Sequence, residues 1–256
     1  MSDLFPILEF DGDPEAIISA GKLLSPHKDM PACCVLCFFQ DAIEKLRETG
    51  QIIEFTQLRS EIGNNPVYRF KDPAIPCAIG HPGVGAPLAG AFLEEIIALG
   101  ARKIIVCGGA GSLEATHAVG KLLIPISAVR DEGTSYHYMP PSREVAPTSA
   151  ALDAVKLTLT EKGLPFTLTK TWTTDGFYRE TKRKVSRRKE EGCHCVEMEA
   201  AALFAVARFR KVELAEILYA GDDLTGEAWD SRGWHNKSEI RENLLSLAVT
   251  ACLKIA

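Results

Sequence analysis

Two short acidic stretches carry the side chains best suited to bond cleavage. Val196-Glu197-Met198-Glu199-Ala200-Ala201-Ala202 sets two carboxylates around a thioether at the start of a small-residue stretch with helical character. Acids at that position are costly in a helix that must pack tightly, which points to a ligand; simple complementation of the helix dipole is the structural alternative. Tyr219-Ala220-Gly221-Asp222-Asp223-Leu224 delivers two adjacent acids from an apolar strand end. One of them can be held partly protonated there and act as a proton donor, and capping of a turn or helix competes with that reading. Thr173-Thr174-Asp175-Gly176-Phe177-Tyr178 offers paired aromatic rings suited to the flat face of a heterocyclic base, or to ordinary core packing. Arg130-Asp131-Glu132-Gly133-Thr134-Ser135-Tyr136-His137-Tyr138 gathers charges and three rings directly after an apolar run and reads as a pocket wall.

Two glycine-rich stretches are candidate anion or sugar sites. Gly108-Gly109-Ala110-Gly111-Ser112 lacks side chains that would keep a ligand from backbone N–H groups, and a tight turn is the plainer reading. Its spacing is not that of a dinucleotide fingerprint. Gly80-His81-Pro82-Gly83-Val84-Gly85 leads into a helix start, where oriented amides suit phosphate. Cys34-x-x-Cys37 and Cys193-His194-Cys195 place soft ligands close together, but the first lies in what reads as a buried segment and the second lacks a matching distant pair at ligand spacing. The cysteines read as reduced, free thiols, and no metal site is expected.

The elements that must position these groups alternate. Val/Ile-rich runs at Ile7–Phe10, Ile52–Thr56, Ile75–Ile79, Lys103–Cys107, Leu122–Val129, Phe166–Thr173, Cys193–Val196 and Leu214–Ala220 read as strands. Stretches of helical period lie at Asp41–Thr49, Ala86–Leu99, Thr148–Lys162, Arg179–Glu191, Glu197–Phe209 and Ser238–Ile255. Such alternation predicts an α/β fold, a three-layer α/β/α sandwich around a mixed, mostly parallel twisted sheet. Pro87 and Gly100 punctuate the second helix at its start and stop. No repeat or linker divides the chain, so residues 1–256 read as one domain.

Composition narrows the partners. The chain has 256 residues, Lys+Arg 29 against Asp+Glu 34, and a net charge of -5. That sign argues against nucleic acid or an anionic membrane surface. The N-terminal stretch has no cationic region ahead of a long apolar run, and no segment reaches membrane-spanning length, so a cytoplasmic protein is expected.

Taken in order, Gly12-Asp13-Pro14, Gly108–Gly111, Arg130–Tyr138, Phe177-Tyr178, Glu197-Met198-Glu199 and Asp222 resemble the nucleoside phosphorylase family, which includes uridine phosphorylase, hexameric purine nucleoside phosphorylase and related hydrolytic nucleosidases. The Arg-x-x-Gly-x-Ser-x-His-x-x-Pro pattern at Arg130–Pro140 looks most like uridine phosphorylase. The resemblance implies N-glycosidic cleavage through an oxocarbenium-like sugar. It implies that Glu199 accepts hydrogen bonds from the ribose hydroxyls, that Met198 packs beneath the sugar, and that Phe177 and Tyr178 flank the base with Glu197 near its edge. Asp222 matches the general acid of the purine-cleaving relatives, with Asp223 as its structural neighbour and a candidate source of like charge. Arg183 is the remnant of a pyrimidine-binding edge. Gly109, Ala110, Gly111 and His137 complete the implied substrate site.

Phosphate as co-substrate implies an anion site, for which Gly12, Gly109, Arg47 and Arg130 are the candidates, with Arg69 as a further guanidinium. Two arginines of phosphate-using relatives are nevertheless missing. Glu15-Ala16 follows Pro14, and Val106 and Gly109 stand where relatives have Arg and Ser or Thr. The resemblance thus favours phosphorolysis of a ribonucleoside to base and ribose 1-phosphate, leaving water as nucleophile and non-catalytic nucleoside binding as alternatives. It implies no metal or organic cofactor. It also implies a homo-oligomer, dimer or hexamer, in which His27 or Arg47 closes a neighbour's pocket.

Overall fold

Side-chain alternation along single strands decides where the layers form. In the computed structural model, which describes residues 5–256, β1 (Cys33–Cys37) sends Val35 and Cys37 into one hydrophobic cluster and Cys34 and Leu36 into another. Successive strand residues leave on opposite faces. β5 (Lys103–Ser112) does the same with Ile105 and Cys107 against Ile104 and Val106. Strands buried on both faces read as unbroken apolar runs, which made β5 visible in the sequence over Lys103–Cys107.

Helices cover both faces. α2 (Gln40–Glu48), α4 (Ser149–Glu161) and α7 (Ser238–Leu253) pack on one cluster, and α3 (Ala86–Leu99) and α6 (Ala200–Arg210) on the other. α3 has the expected bounds, with Pro87 in its first turn and Gly100 at φ +133°, a conformation that disfavours any side chain. Residues Ala200–Ala207 of α6 are all buried, because small side chains let the helix sit between neighbours on every side.

The remaining strands are β2 (Ile52–Ser60), β3 (Gly63–Phe70), β4 (Cys77–Gly80), β6 (Leu122–Asp131), β7 (Glu144–Val145), β8 (Phe166–Thr174), β9 (Cys193–Glu197) and β10 (Glu213–Asp223). All ten form one mixed sheet, in which five pairings are parallel and five antiparallel rather than mostly parallel. Nor is it a plain sandwich. β5 pairs with β10, β10 with β6, β6 with β8, β8 with β9, and β9 back with β5, so five strands close a ring from which β1, β4, β3 and β2 extend. Ala110, Leu123, Cys195, Leu218 and Ala220 make up a small cluster drawn from four of the ring strands. Two antiparallel contacts complete the ring, Leu218–Tyr219 against Leu122–Leu123 and Gly111–Ser112 against Cys195–Val196.

Other local expectations also shift. Ile7–Phe10 is not a strand, since Pro6 opens a short 3-10 turn at Pro6–Leu8 and no strand pairs with this run. β1, β3 and α1 (Ala20–Leu23) were not expected, Pro66 and two asparagines having masked the period of β3. Gly108–Ser112 is the last part of β5 rather than a loop. Glu197–Glu199 precedes α6 rather than opening it, and α5 (Lys182–Glu190) begins after a 3-10 turn at Phe177–Arg179.

Candidate active site

A cleft of about 800 Å³ opens where β5, β9 and β10 end, and Gly109, Ala110, Gly111, Phe177, Tyr178, Glu197, Met198, Glu199 and Asp222 all line it. Glycine at the end of β5 suits a close approach of neighbouring side chains. A Cβ on Gly111 would stand 2.6 Å from Leu224 Cδ1 and 3.1 Å from Val196 Cγ1, so a larger residue would have to displace the Leu224 side chain and press on Val196. Phe177 and Tyr178 are 50% and 88% exposed with ring centroids 4.0 Å apart, which makes them the lip of the cleft rather than part of the core.

Glu197 anchors the turn from β9 into α6. One of its oxygens accepts from Thr171 Oγ1 (3.1 Å) and Thr173 Oγ1 (2.7 Å), and the other from the Glu199 and Ala200 amides (both 2.6 Å). Its carboxyl is therefore spent on the N-terminus of the helix and does not read a base edge, contrary to the expectation from sequence. Burial pushes this carboxyl up, and those four donors pull it down.

Glu199, 6% exposed, accepts from the Gly85 amide (2.5 Å) at the start of α3 and from the Met198 amide (3.2 Å). A carboxylate has about four acceptor positions, so two remain for ligand hydroxyls. Burial, and next the charge of Glu197, push Glu199 up to about 8. Met198 is half-buried between the two acids.

The neighbouring aspartates diverge. Asp222 turns into the cleft and its Oδ2 accepts from Trp229 Nε1 (2.7 Å). Asp223 is ion-paired with Arg232 and accepts from the Thr225 amide (2.8 Å), so it holds the following loop and is not the like charge beside Asp222. That neighbour is Glu180, a cleft residue the sequence reading passed over. Trp229 and Trp234 also line the cleft from this loop, and two of the chain's three tryptophans falling so soon after Asp222 was a usable signal.

Several expected site residues lie elsewhere. Arg183, His137, Gly12, Arg47, Arg69 and His27 do not line the cleft. Gly12 precedes β1 in an exposed segment whose Pro14 carbonyl is taken by Arg210. The chain that follows β1 instead brings Phe38 and Phe39 into the cleft. Arg130 is buried with its donors consumed, by Ser135 Oγ (2.8 Å), Pro140 O (2.8 Å), Ser142 Oγ (2.6 Å) and Met139 O (3.2 Å), and it stacks on Tyr136. It folds the Arg130–Pro140 segment and is no anion ligand. Arg130→Ala should lower the free energy of unfolding by at least about 1–3 kcal/mol, the cost of one orphaned buried partner, read as a lower urea midpoint.

Charge is the other surprise. Six acids (Glu180, Glu197, Glu199, Glu216, Asp222 and Glu227) face the cleft against two cations. Lys182 pairs with Glu227, while Arg241 pairs with Asp41 (3.1 Å) and lies against the rings of Phe39 and Trp234. Glu216 sits opposite Val106 in the β5–β10 register, fully buried, with its Oε2 unpartnered. Burial holds it well above the usual carboxylate range. Among the described residues no three His, Cys, Asp or Glu side chains are grouped to hold a metal, the cysteines are free thiols, and no helix is long and apolar enough to cross a membrane.

The family model described as "Phosphorylase superfamily" matches residues 32–254. The chain is 27% identical over 160 residues to a guanosine phosphorylase of Halorubrum lacusprofundi, covering 62% of this chain and 66% of that protein. In structure it is similar to purine nucleoside phosphorylase from Toxoplasma gondii in complex with immucillin-H (TM-score 0.76, 20% identity, 90% of this chain and 95% of that one). It is also similar to AMP nucleosidase from Bacteroides thetaiotaomicron (TM-score 0.71, 21% identity, 87% of each chain).

Proposed function

This chain belongs to the phosphorylase superfamily, and on that premise we propose that it cleaves the N-glycosidic bond of a purine ribonucleoside with water as the nucleophile. The observation that carries the choice of water is that, among the described residues, neither cation lining the cleft is free of a carboxylate partner. A phosphate dianion needs several charge-assisted hydrogen bonds, each contributing roughly 1.5–3 kcal/mol, and the two cleft cations are already engaged. At the start of α3 the Gly85 N–H already goes to Glu199 and the Gly83 N–H to His81 Nδ1 (3.0 Å). The purine assignment is supported by Asp222 lying in the cleft while Arg183 lies outside it.

In this reading Glu199 grips the ribose through its hydroxyls, and its negative charge favours the oxocarbenium-like sugar. Asp222 passes a proton to the departing base, so that the base leaves neutral. The aromatic lip of Phe177 and Tyr178 covers the base and limits bulk water. The protein is therefore expected to release base from guanosine or inosine at the same rate with and without phosphate, with free ribose as the sugar product. Formation of ribose 1-phosphate, only when phosphate is present, would replace this reading with phosphorolysis.

A further inference from the structure

We infer that Trp229 is the positioning residue of the proposed acid: its indole N–H keeps Oδ2 of Asp222 an acceptor, so that the proton for the departing base is carried on Oδ1. This deepens the proposed function and rests on it. Trp229 Nε1 donates to Asp222 Oδ2 at 2.7 Å, the short end of the range for N–H···O bonds. An indole has one N–H and accepts nothing. Whatever the state of the carboxyl, the oxygen facing that N–H must be the acceptor, and a proton on Asp222 has Oδ1 left to it. Oδ1 lies beside the end of β5, 3.5 Å from the place a Cβ on Gly111 would take. The base has therefore to offer its accepting nitrogen on the Gly111 side of the acid.

Holding the loop does not depend on this contact. Next to Trp229 in the chain, Asp230 exchanges backbone hydrogen bonds with Asp223 (3.1 and 2.8 Å), and Asp223 is ion-paired with Arg232. Arg232 Nη1 donates to the His117 carbonyl (2.7 Å), and the Tyr219 hydroxyl donates to the Trp234 carbonyl (3.0 Å). The Trp229 ring is 63% exposed where it lines the cleft. A partly solvated indole N–H gains little for the fold by leaving water, so its aim at a cleft carboxyl points to a task for the acid.

Several charged and titratable groups face Asp222. Glu180 approaches from the segment before α5, the Lys182–Glu227 pair joins α5 to the loop, Tyr219 and the paired Asp223 share β10 with it, and Glu197 and Glu199 line the cleft from the turn between β9 and α6. Among the described residues only Trp229 donates to the Asp222 carboxyl.

The step balances without another reactant. As the C1′–N bond breaks, its electron pair goes to the base and the Oδ1 proton goes to a ring nitrogen. Water oxygen bonds to C1′, and the proton it sheds restores the acid.

The test is a double-mutant cycle of Trp229→Phe, which keeps a ring and removes the N–H, with Asp222→Asn. It is read with guanosine and with p-nitrophenyl riboside, whose leaving group needs no proton. Trp229→Phe should lower kcat for guanosine about tenfold or more with little change in KM, and leave cleavage of p-nitrophenyl riboside unchanged within about twofold. In the Asp222→Asn background the same change should cost less than about twofold, because no proton is left to place. Equal losses with the two substrates, or additive losses in the cycle, would show Trp229 to be structural and overturn the assignment. Nitrogen-15 NMR of the indole decides the place of the proton apart from turnover. The Trp229 N–H signal should shift as Asp222 titrates and stay protected from exchange with water on both sides of that titration. Release of the N–H when Asp222 takes up its proton would put that proton on Oδ2 and overturn the inference. If the wild type cleaves no nucleoside, the functional reading and the transfer step fall, while the indole titration still accepts or rejects the place of the proton.

Discussion

Asp222→Asn should slow release of guanine or hypoxanthine by about 10²–10⁴-fold, the range expected when a positioned general acid is removed. The amide keeps the acceptor for Trp229 Nε1, so the loop stays in place and substrate affinity changes little. A nucleoside analogue with an activated leaving group should be spared. Asp223→Asn should do the opposite, retaining turnover while lowering the unfolding midpoint, since Asp223 ties the loop to Arg232 and Thr225. Burial disfavours the Asp223 carboxylate, but Thr225 and Arg232 outweigh it and hold the carboxyl below its usual range. A group whose pKa is lowered by folding stabilises above its unfolded value, about 4, and that contribution is lost as pH falls through the folded value. The difference in midpoint between wild type and Asp223→Asn should therefore be full at pH 7 and shrink on acidification. Steady-state kinetics beside urea titrations at pH 7 and pH 3.5 check both halves. Turnover surviving in Asp222→Asn and vanishing in Asp223→Asn would reverse the roles.

Glu199→Gln is the second large effect, a loss in kcat/KM of about 10²–10³-fold, comparable with removing one preorganised group that stabilises transition-state charge. Gln keeps hydrogen-bonding capacity for the Gly85 amide but carries no charge to set against a cationic sugar. The Glu199 carboxyl is raised to about 8 by burial and by Glu197, whereas the reaction needs it ionised. Below pH 8 kcat/KM should climb with pH. Stability should move the other way. An acid whose pKa is raised by folding favours the folded state below its unfolded value, about 4.3, and costs stability as pH rises towards the folded value. Glu199→Gln removes that cost and should raise the unfolding midpoint at pH 7. Kinetics and denaturation on the same preparation test the trade, and a variant that is both slower and less stable would show Glu199 to be structural.

The amino-acid sequence by itself determined the α/β class, the helix at Ala86–Leu99 and the acids Glu197, Glu199 and Asp222, because these depend on local quantities: side-chain period, punctuation by Pro87 and Gly100, and the rarity of acids beside apolar runs. What those acids do was decided by tertiary structure. Glu197 and Glu199 are two residues apart and both buried, yet one is consumed by hydroxyls from β8 and the amides of α6, while the other reaches the start of α3. The Arg130–Pro140 pattern was legible as a motif and misleading as a ligand, since its acceptors become visible only once the segment folds back on the guanidinium. Closure of the five-stranded ring rests on two short pairings between distant segments, too brief to leave a periodic trace. Glu180 and Asp222 are 42 positions apart in the chain. They meet only because the ring brings the end of β10 and the turn after β8 to one cleft, and Coulomb energy follows distance in space rather than along the backbone.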